Sequence, residues 1–345
     1  MTTTPSISLK SPGRRLFLTL AGGTLILALL ATAYWHWAAG QIVTGLENWR
    51  HQQIARGFVV NYGKLELSGY PFSFDLSLSS PAISAPDGRF WQGPPMRGHA
   101  ALWDPFTIDA DAAGTHLFGG LKHIGELTGL AKQAWLQIHL AFNGSVDHAV
   151  TSIAGFDILH QEAQVLSVER LDAVLGPLRL ADEGQLQELD FDGSAQGIVL
   201  PNDGGTPLGK EVESLSLTAT LRGPLPAMDI RKALPIWREA GGEAIVHSAD
   251  IAWGPLTLHA QGGATLDALM RPEGQFGTRI SGLTDVLDAL VARGQIKRTQ
   301  AGLLSFALLS LGGGNTQQVA LPITMKNGLL SAGPVPIAPL KPLIR

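Results

Sequence analysis

The stretch Phe72-Ser73-Phe74-Asp75-Leu76-Ser77-Leu78-Ser79 alternates apolar and polar side chains without a break. Successive side chains of a β-strand point to opposite faces of a sheet, so this pattern predicts a strand with one dry face and one wet face. The same alternation recurs in Leu136–Leu140, Leu215–Leu221 and Leu256–Ala260. We therefore expect a mainly β protein of the α+β class, built on a large antiparallel sheet. The residues expected on its dry face are Phe72, Phe74, Leu76, Leu78, Leu215, Leu217, Leu256 and Leu258.

Turn signals separate these strands and predict that hairpins join them. Pro86-Asp87-Gly88, Asn143-Gly144 and Asn327-Gly328 all favour tight reversals of the chain. A sheet with one dry face must cover that face, and the sequence leaves three covers open. They are the protein's own helices, a second sheet layer in a sandwich, or acyl chains lying in a groove.

Two segments near the end of the chain have helical spacing of apolar residues and predict an αα-hairpin. The first runs from Leu283 to Val291 and the second from Leu304 to Leu311, and glycines follow both. Their apolar faces either pack on the dry side of the sheet or form a lid over a groove. A further short helix is expected at Met228–Ala240.

A membrane-spanning helix is predicted near the start of the chain. Lys10, Arg14 and Arg15 precede an uncharged run from Leu16 to Leu46, whose apolar centre is about 20 residues long, enough to cross the hydrocarbon of a bilayer. The residues assigned to the anchor are Leu16, Leu25, Leu30, Tyr34, Trp35 and Trp37. A cleaved signal peptide is the alternative, because Ala31-Thr32-Ala33 fits an A-x-A cleavage site. The segment Gln41–Arg56 is expected to continue the anchor helix until Gly57.

The position of the cations predicts the orientation of the chain. By the positive-inside rule, residues 1–15 form a cytoplasmic tail and residues 16–39 a single-pass anchor in a bacterial inner membrane. Residues 40–345 then form a β-rich periplasmic domain, either as one unit or as two halves at about 57–225 and 226–345.

Composition excludes some classes of partner. The 345 residues contain 25 Lys plus Arg and 29 Asp plus Glu, with no basic cluster, so we expect no nucleic-acid binding. The chain has no cysteine, so disulfides and a lipidated cysteine are excluded as stabilising or anchoring devices.

No segment carries a recognisable catalytic, metal or cofactor signature. The stretch Gly204–Lys210 has the spacing of a phosphate-binding loop but is followed by Glu211 and an alternating strand, so we interpret it as a turn. Asp190 and Asp192 are expected on the wet face of a strand. A possible ligand cluster, formed by Asp109, Asp111, His116 and His123, matches no known metal spacing. We therefore predict no catalytic residues, no metal and no cofactor, and a protein that is not an enzyme.

The chain resembles one known family. The segment Leu65-x-Leu-x-Gly-Tyr-Pro-Phe-x-Phe-Asp-Leu-x-Leu-x-x-Pro81, placed after an anchor, is similar to the opening of a membrane-anchored alphaproteobacterial family called domain of unknown function 2125. A second block, Trp237–Gly242 followed by Trp253–Leu256 and Arg271–Gly274, agrees in order and spacing. The resemblance implies placement but no chemistry. In style, the one-sided strands are also similar to AsmA-type envelope proteins and to accessory proteins of lipopolysaccharide transport.

Two functions fit these patterns. The first is the binding of lipid or another amphiphile on the dry face, in maintenance of the cell envelope. The alternative is a non-enzymatic envelope scaffold that binds a protein partner through loops such as Pro86–Met96, where Phe90 and Trp91 lie. A lipid binder requires an uninterrupted apolar trough, which a linear pattern cannot show.

Overall fold

The structure is a computed structural model that describes residues 12–121, 125–142, 145–180, 186–201, 208–226, 230–294, 296–299, 301–302, 305, 318–333 and 335–344, with side chains left out at 12–19, 180, 335 and 337. It contains one large antiparallel sheet. Three helices are defined in the described part of the chain, namely α1 (Pro12–Ala55), α2 (Ile230–Glu239) and α3 (Leu283–Ala292).

The described residues form nineteen strands. The first nine are β1 (Val59–Asn61), β2 (Leu65–Ser68), β3 (Ser73–Leu78), β4 (Ala82–Ser84), β5 (Phe90–Gln92), β6 (Met96–Ala101), β7 (Asp104–Asp111), β8 (Gly114–Leu121) and β9 (Gly125–Leu140). The others are β10 (Val146–His160), β11 (Ala163–Leu180), β12 (Leu186–Val199), β13 (Glu211–Leu225), β14 (Glu243–Trp253), β15 (Leu256–Leu266), β16 (Pro272–Ser281), β17 (Gln318–Lys326), β18 (Leu329–Ala332) and β19 (Val335–Pro339). The expectation of a large antiparallel sheet is confirmed.

The sheet is a meander in which each long strand pairs with the next one in the chain. From β9 to β19 every strand pairs antiparallel with its successor. The eight shorter strands before β9 form four long strands, each interrupted once: β1 with β2, β3 with β4, β5 with β6, and β7 with β8. On one side of the interruptions the pairing order is β2, β3, β6 and β7, and on the other side it is β1, β4, β5 and β8. Both series end on β9, whose first half pairs with β8 and whose second half pairs with β7.

A crease crosses the sheet where these long strands are interrupted. Proline residues lie in two of the interruptions, Pro81 between β3 and β4 and Pro94-Pro95 between β5 and β6, where the missing N–H cannot join the ladder. In β9 the crease continues as two adjacent exposed residues, Lys132 and Gln133, between buried Ala131 and half-buried Ala134. The strict alternation therefore reverses here, and Ala131 and Ala134 lie on the same face of the sheet.

Glycine makes this reversal possible in the two strands that flank β11. Gly155 in β10 has φ +60° and Gly197 in β12 has φ +59°, a left-handed conformation that other residues rarely adopt. The register places Gly155 opposite Lys132, and a Cβ on Gly155 would lie 2.6 Å from Cδ of Lys132. The crease thus depends on the small size of glycine as well as on its conformation.

The three helices contact different parts of the sheet. Helix α1 has 44 residues and, at 1.5 Å per residue, a length of about 66 Å. Its second half lies against β1 and β3, so the predicted continuation of the anchor helix as far as Gly57 is confirmed. Helix α2 packs Trp237 beside β13, where its Nε1 donates a 2.7 Å hydrogen bond to the carbonyl of Arg222.

The predicted αα-hairpin is only partly described. Its first helix is α3, which contacts β15 and buries Leu287. Residues 303–304 and 306–317, which include most of the second predicted helix, lie outside the described residues. Between the two suggested halves of the domain, β13 pairs directly with β14, so the sheet is continuous there.

Candidate functional site

The first candidate feature is an uncharged, mostly apolar row of residues that crosses thirteen strands of the sheet. Directly opposed residues of antiparallel strands share a face, so the register connects one residue of each strand to the next. No member of this row carries a charge. From β2 to β17 its members are Leu67, Leu76, Gly98, Ala110, Leu136, Thr151, Ala173, Gly193, Leu217, Ala249, Ala260, Thr278 and Leu321.

A second row runs beside it on the same face. It crosses nine strands, and all of its members are aliphatic. From β9 to β17 they are Ala134, Ile153, Leu171, Ala195, Leu215, Ile251, Leu258, Ile280 and Val319. We call the surface formed by these two rows the apolar face.

The opposite side of the sheet is polar. A row of thirteen residues interleaved with the first row consists of Glu66, Ser77, Arg97, Asp111, Trp135, Ser152, Asp172, Ser194, Ser216, Asp250, His259, Arg279 and Ala320. Eleven of these side chains are polar. The contrast between the two rows shows that the sheet as a whole is amphipathic, with water expected on one side.

Hydrogen bonds order the polar side. His99 lies 2.6 Å from the carboxylate of Asp75, and His259 lies 2.7 Å from that of Asp250. The hydrogen bond with His99, and then the one from Ser73, lowers the pKa of Asp75 below its usual value. Hydrogen bonds from Ser248 and then His259 likewise lower the pKa of Asp250. These carboxylates therefore stay ionised at neutral pH and keep this side of the sheet wet.

The apolar face is partly open to solvent. Leu215 and Leu217 expose 42% and 36% of their surface, although both lie in the middle of the sheet. Buried apolar side chains are few among the described residues, and they are divided between the helices and many different strands. A closed sandwich of this size would bury most of such a face, so what the structure describes is an open, single-layer arrangement.

A hollow of 560 Å³ lies beyond the crease. Aromatic residues from three strands and the segment before β1 dominate its lining, and a single charged residue, Arg89, reaches it. The main lining residues are Phe58, Ile83, Phe90, Trp91, Phe118 and Phe156. Because the alternation reverses at the crease, this hollow lies on the apolar side and extends that surface toward the far end of the strands.

Helix α1 covers the first edge of the apolar face. Trp35 is 8% exposed, and its indole stacks on Phe74 of β3 while Nε1 donates a 2.7 Å hydrogen bond to the carbonyl of Ser73. Closer to the C-terminus of α1, Glu47 accepts a 2.5 Å hydrogen bond from the hydroxyl of Tyr62. The helix is therefore joined to β3 through Trp35 and to the segment between β1 and β2 through Glu47.

One comparison with known proteins identifies the family. The family model for DUF2125, described as an uncharacterized protein conserved in bacteria, matches residues 35–341. The chain belongs to the DUF2125 family. No curated protein and no solved structure gave a significant match. The matched region begins at Trp35, the residue that packs α1 on the sheet, so the DUF2125 region includes this contact.

The structure brings the predicted dry-face residues of this DUF2125 protein onto shared rows. Leu76 and Leu217 belong to the first row, and Leu215 and Leu258 to the second. Phe74 and Leu78 flank Leu76 on β3, and Leu256 precedes Leu258 on β15 with the same orientation. Phe72 is different, because it precedes β3 in a turn and is 68% exposed.

The predicted anchor residues divide into two groups. Leu25, Leu30, Tyr34 and Trp37 are exposed, as expected for side chains that face lipid. Trp35 instead packs against the sheet, and the side chain of Leu16 lies outside the described residues. Helix α1 is long and apolar enough to span a membrane.

The residues considered for metal or acid–base chemistry are dispersed in this DUF2125 protein. Asp109 accepts a hydrogen bond from Gln137, whereas His116 contacts Trp91 at 3.3 Å. Among the residues that the structure describes, no three His, Asp or Glu side chains lie close enough to hold a metal ion. His123 and the loop-like segment 204–207 lie outside these residues. Asp190 accepts a 2.6 Å hydrogen bond from buried Thr220.

Sequence reasoning missed the hollow beyond the crease. Phe90 and Trp91 were expected in a loop that contacts a partner, and the structure places them in β5 with their side chains lining the hollow. Phe156 alternates with Asp157 and Ile158, a signal that predicts a strand. Nothing in the linear pattern, however, shows that β5, β8 and β10 bring their aromatic residues together.

Proposed function

We propose that this DUF2125 protein is a single-pass membrane-anchored protein that binds lipid or another amphiphile on the apolar face. The proposal places residues 40–345 in the bacterial periplasm, with a role in maintenance of the envelope. The observation that carries it is the uncharged row that continues from Leu67 to Leu321 across thirteen strands. A linear sequence pattern can give each strand an apolar side, but an acyl chain needs that surface to be continuous.

The dimensions of the apolar face suit such a ligand. Its first row crosses thirteen strands, and twelve steps of about 4.8 Å between neighbouring strands give a length of about 58 Å. Each buried methylene contributes about 0.8 kcal/mol, so an acyl chain lying along the face recovers the cost of leaving a bilayer only if contact is kept along its length. Partly exposed residues such as Leu215 supply that contact.

The charge pattern supports the orientation. Lys10, Arg14 and Arg15 precede the apolar segment, and the first acidic residue after it is Glu47. We propose binding rather than catalysis, because the polar groups of the described residues are paired with one another on the wet side of the sheet instead of converging in the apolar hollow.

Native mass spectrometry of the full chain, released from detergent micelles and followed by organic extraction, tests this proposal. We expect one or more phospholipids or other amphiphiles to remain bound after the detergent has been removed by collisional activation. A chain that is always released without any amphiphile would contradict the proposal. That result would favour the alternative, a scaffold whose apolar face is covered by a protein partner.

A further inference from the structure

Exposed aromatic side chains cluster in turns at one end of the sheet. Tyr70 and Phe72 lie between β2 and β3 and are 53% and 68% exposed. Trp103 lies between β6 and β7 and is 78% exposed. The two turns are adjacent, because the backbone N–H of Leu102 donates a 2.9 Å hydrogen bond to the carbonyl of Phe72.

A third turn lies at the same end of the sheet. Phe142 follows β9 and is the most exposed large apolar residue in the described part of the chain. Its ring contacts Phe106 of β7 with centroids 5.7 Å apart. Large apolar side chains that gather in this way on a surface mark an interaction site.

The position of α1 indicates what this site contacts. The hydroxyl of Tyr70 lies 2.9 Å from that of Thr32. Thr32 is in the last turns of the apolar segment, which begins at Leu16 and reaches about 20 residues, the thickness of the hydrocarbon core, near Trp35. The turn between β2 and β3 is therefore at the level where the helix would leave a bilayer.

We propose that Tyr70, Phe72 and Trp103 insert into the interfacial layer of the membrane that α1 crosses. This inference depends on the membrane anchoring proposed above. Tyrosine and tryptophan favour the headgroup layer because their rings are apolar at one end and polar at the other, and phenylalanine adds apolar area just below it. In this arrangement the turns at this end of the sheet contact the bilayer, and the apolar face begins at the membrane surface.

The far end of the same strands offers a contrast. The turn between β4 and β5 contains Asp87 and Arg89, which form a 2.7 Å ion pair with more than half of each side chain exposed. Its composition suits water, and it lies beyond the crease from Tyr70. It provides a matched position for a control.

The absence of cysteine from the chain makes site-specific labelling direct. Full-length Phe72→Cys, Trp103→Cys, Asp87→Cys and Leu25→Cys variants would each carry an environment-sensitive fluorophore and be reconstituted in phosphatidylcholine vesicles containing nitroxide-labelled lipid. We expect blue-shifted emission and loss of most of the fluorescence to lipid quenching at positions 25, 72 and 103. Position 87 should show water-like emission without quenching.

The four positions distinguish a failure of the docking alone from a failure of the membrane anchor. Quenching at position 25 with none at 72 and 103 would overturn the insertion of these turns into the membrane interface and leave the anchor in place. Absence of quenching at positions 25, 72 and 103 would overturn the anchor and the docking together. Because the labelled side chains on the edge are exposed, the labels are not expected to disturb folding, which circular dichroism of each labelled protein would verify.

Discussion

The indole of Trp35 stacks on the ring of Phe74 at a centroid distance of 5.8 Å and an interplanar angle of 13°. This pair joins α1 to β3, and Ala39 of the helix completes the buried cluster. A helix that serves only as a tether would need no such contact. The pair instead packs the helix directly against the sheet.

Replacement of Phe74 by alanine should therefore be costly. Phe74 is 3% exposed, and removal of a buried phenylalanine side chain costs about 3–5 kcal/mol of unfolding free energy. The matched control is Phe72→Ala, two residues earlier and exposed, which should change the unfolding free energy by less than about 0.5 kcal/mol. Urea unfolding of both variants in detergent, followed by circular dichroism, measures the difference, and equal effects would show that the Trp35–Phe74 contact contributes little.

Charge on the apolar face should remove the ligand without unfolding the sheet. Leu215 is partly exposed on that face, and Ser214 is its exposed neighbour on the polar side of β13. We expect Leu215→Glu to lose most of the co-purified amphiphile seen by native mass spectrometry, since a carboxylate in contact with an acyl chain must be desolvated. Ser214→Glu should retain it. Equal retention in the two variants would place the ligand elsewhere.

The crease should be sensitive to a single methyl group. Gly155→Ala forces a left-handed residue to carry a Cβ, at a cost of about 1–2 kcal/mol, and adds the close contact with Lys132. Gly277→Ala in β16 is the control, because its nearest neighbour would be a full 4.0 Å away. Thermal unfolding should show a clearly lower midpoint only for the Gly155 variant, and a midpoint equal to that of the control would mean that the crease tolerates alanine.

Acid should weaken the polar side of the sheet through Asp75. Its pKa is lowered in the folded state, so its contribution to stability is fully present above the usual carboxyl pKa and is lost as pH falls through the lower folded value. The effect should be small because both Asp75 and His99 are substantially exposed. In Asp75→Asn the drop in melting temperature between neutral and strongly acidic pH should be smaller than in the wild type, and an unchanged drop would exclude a contribution from Asp75.

Part of this architecture could be predicted from sequence because a strand shows its two faces directly. Leu215 and Leu217 alternate with serine, and their placement on one side follows from the period of two. That Leu76 and Leu217 lie in the same row could not be predicted, because it depends on the register of every strand pair between them. One shift of register would have placed Leu217 beside a polar row.

Other differences have local causes. Phe72 shares the alternating pattern with Phe74, but the strand begins only at Ser73, after a turn in which Gly69 has φ +96°. Trp35 follows the apolar segment in the manner of an interfacial anchor, yet β3 is close enough to bury it. In both cases tertiary contacts, which no linear pattern contains, decide where an aromatic ring lies.

The meander has a consequence for how such a protein can vary in size. Every long strand pairs with its neighbour in the chain, so the addition or loss of one hairpin would lengthen or shorten the sheet by about 10 Å without rerouting any other connection. The uncharged row would remain unbroken as long as the new hairpin kept the register. The length of the sheet across its strands is thus set by the number of β-hairpins that the gene encodes.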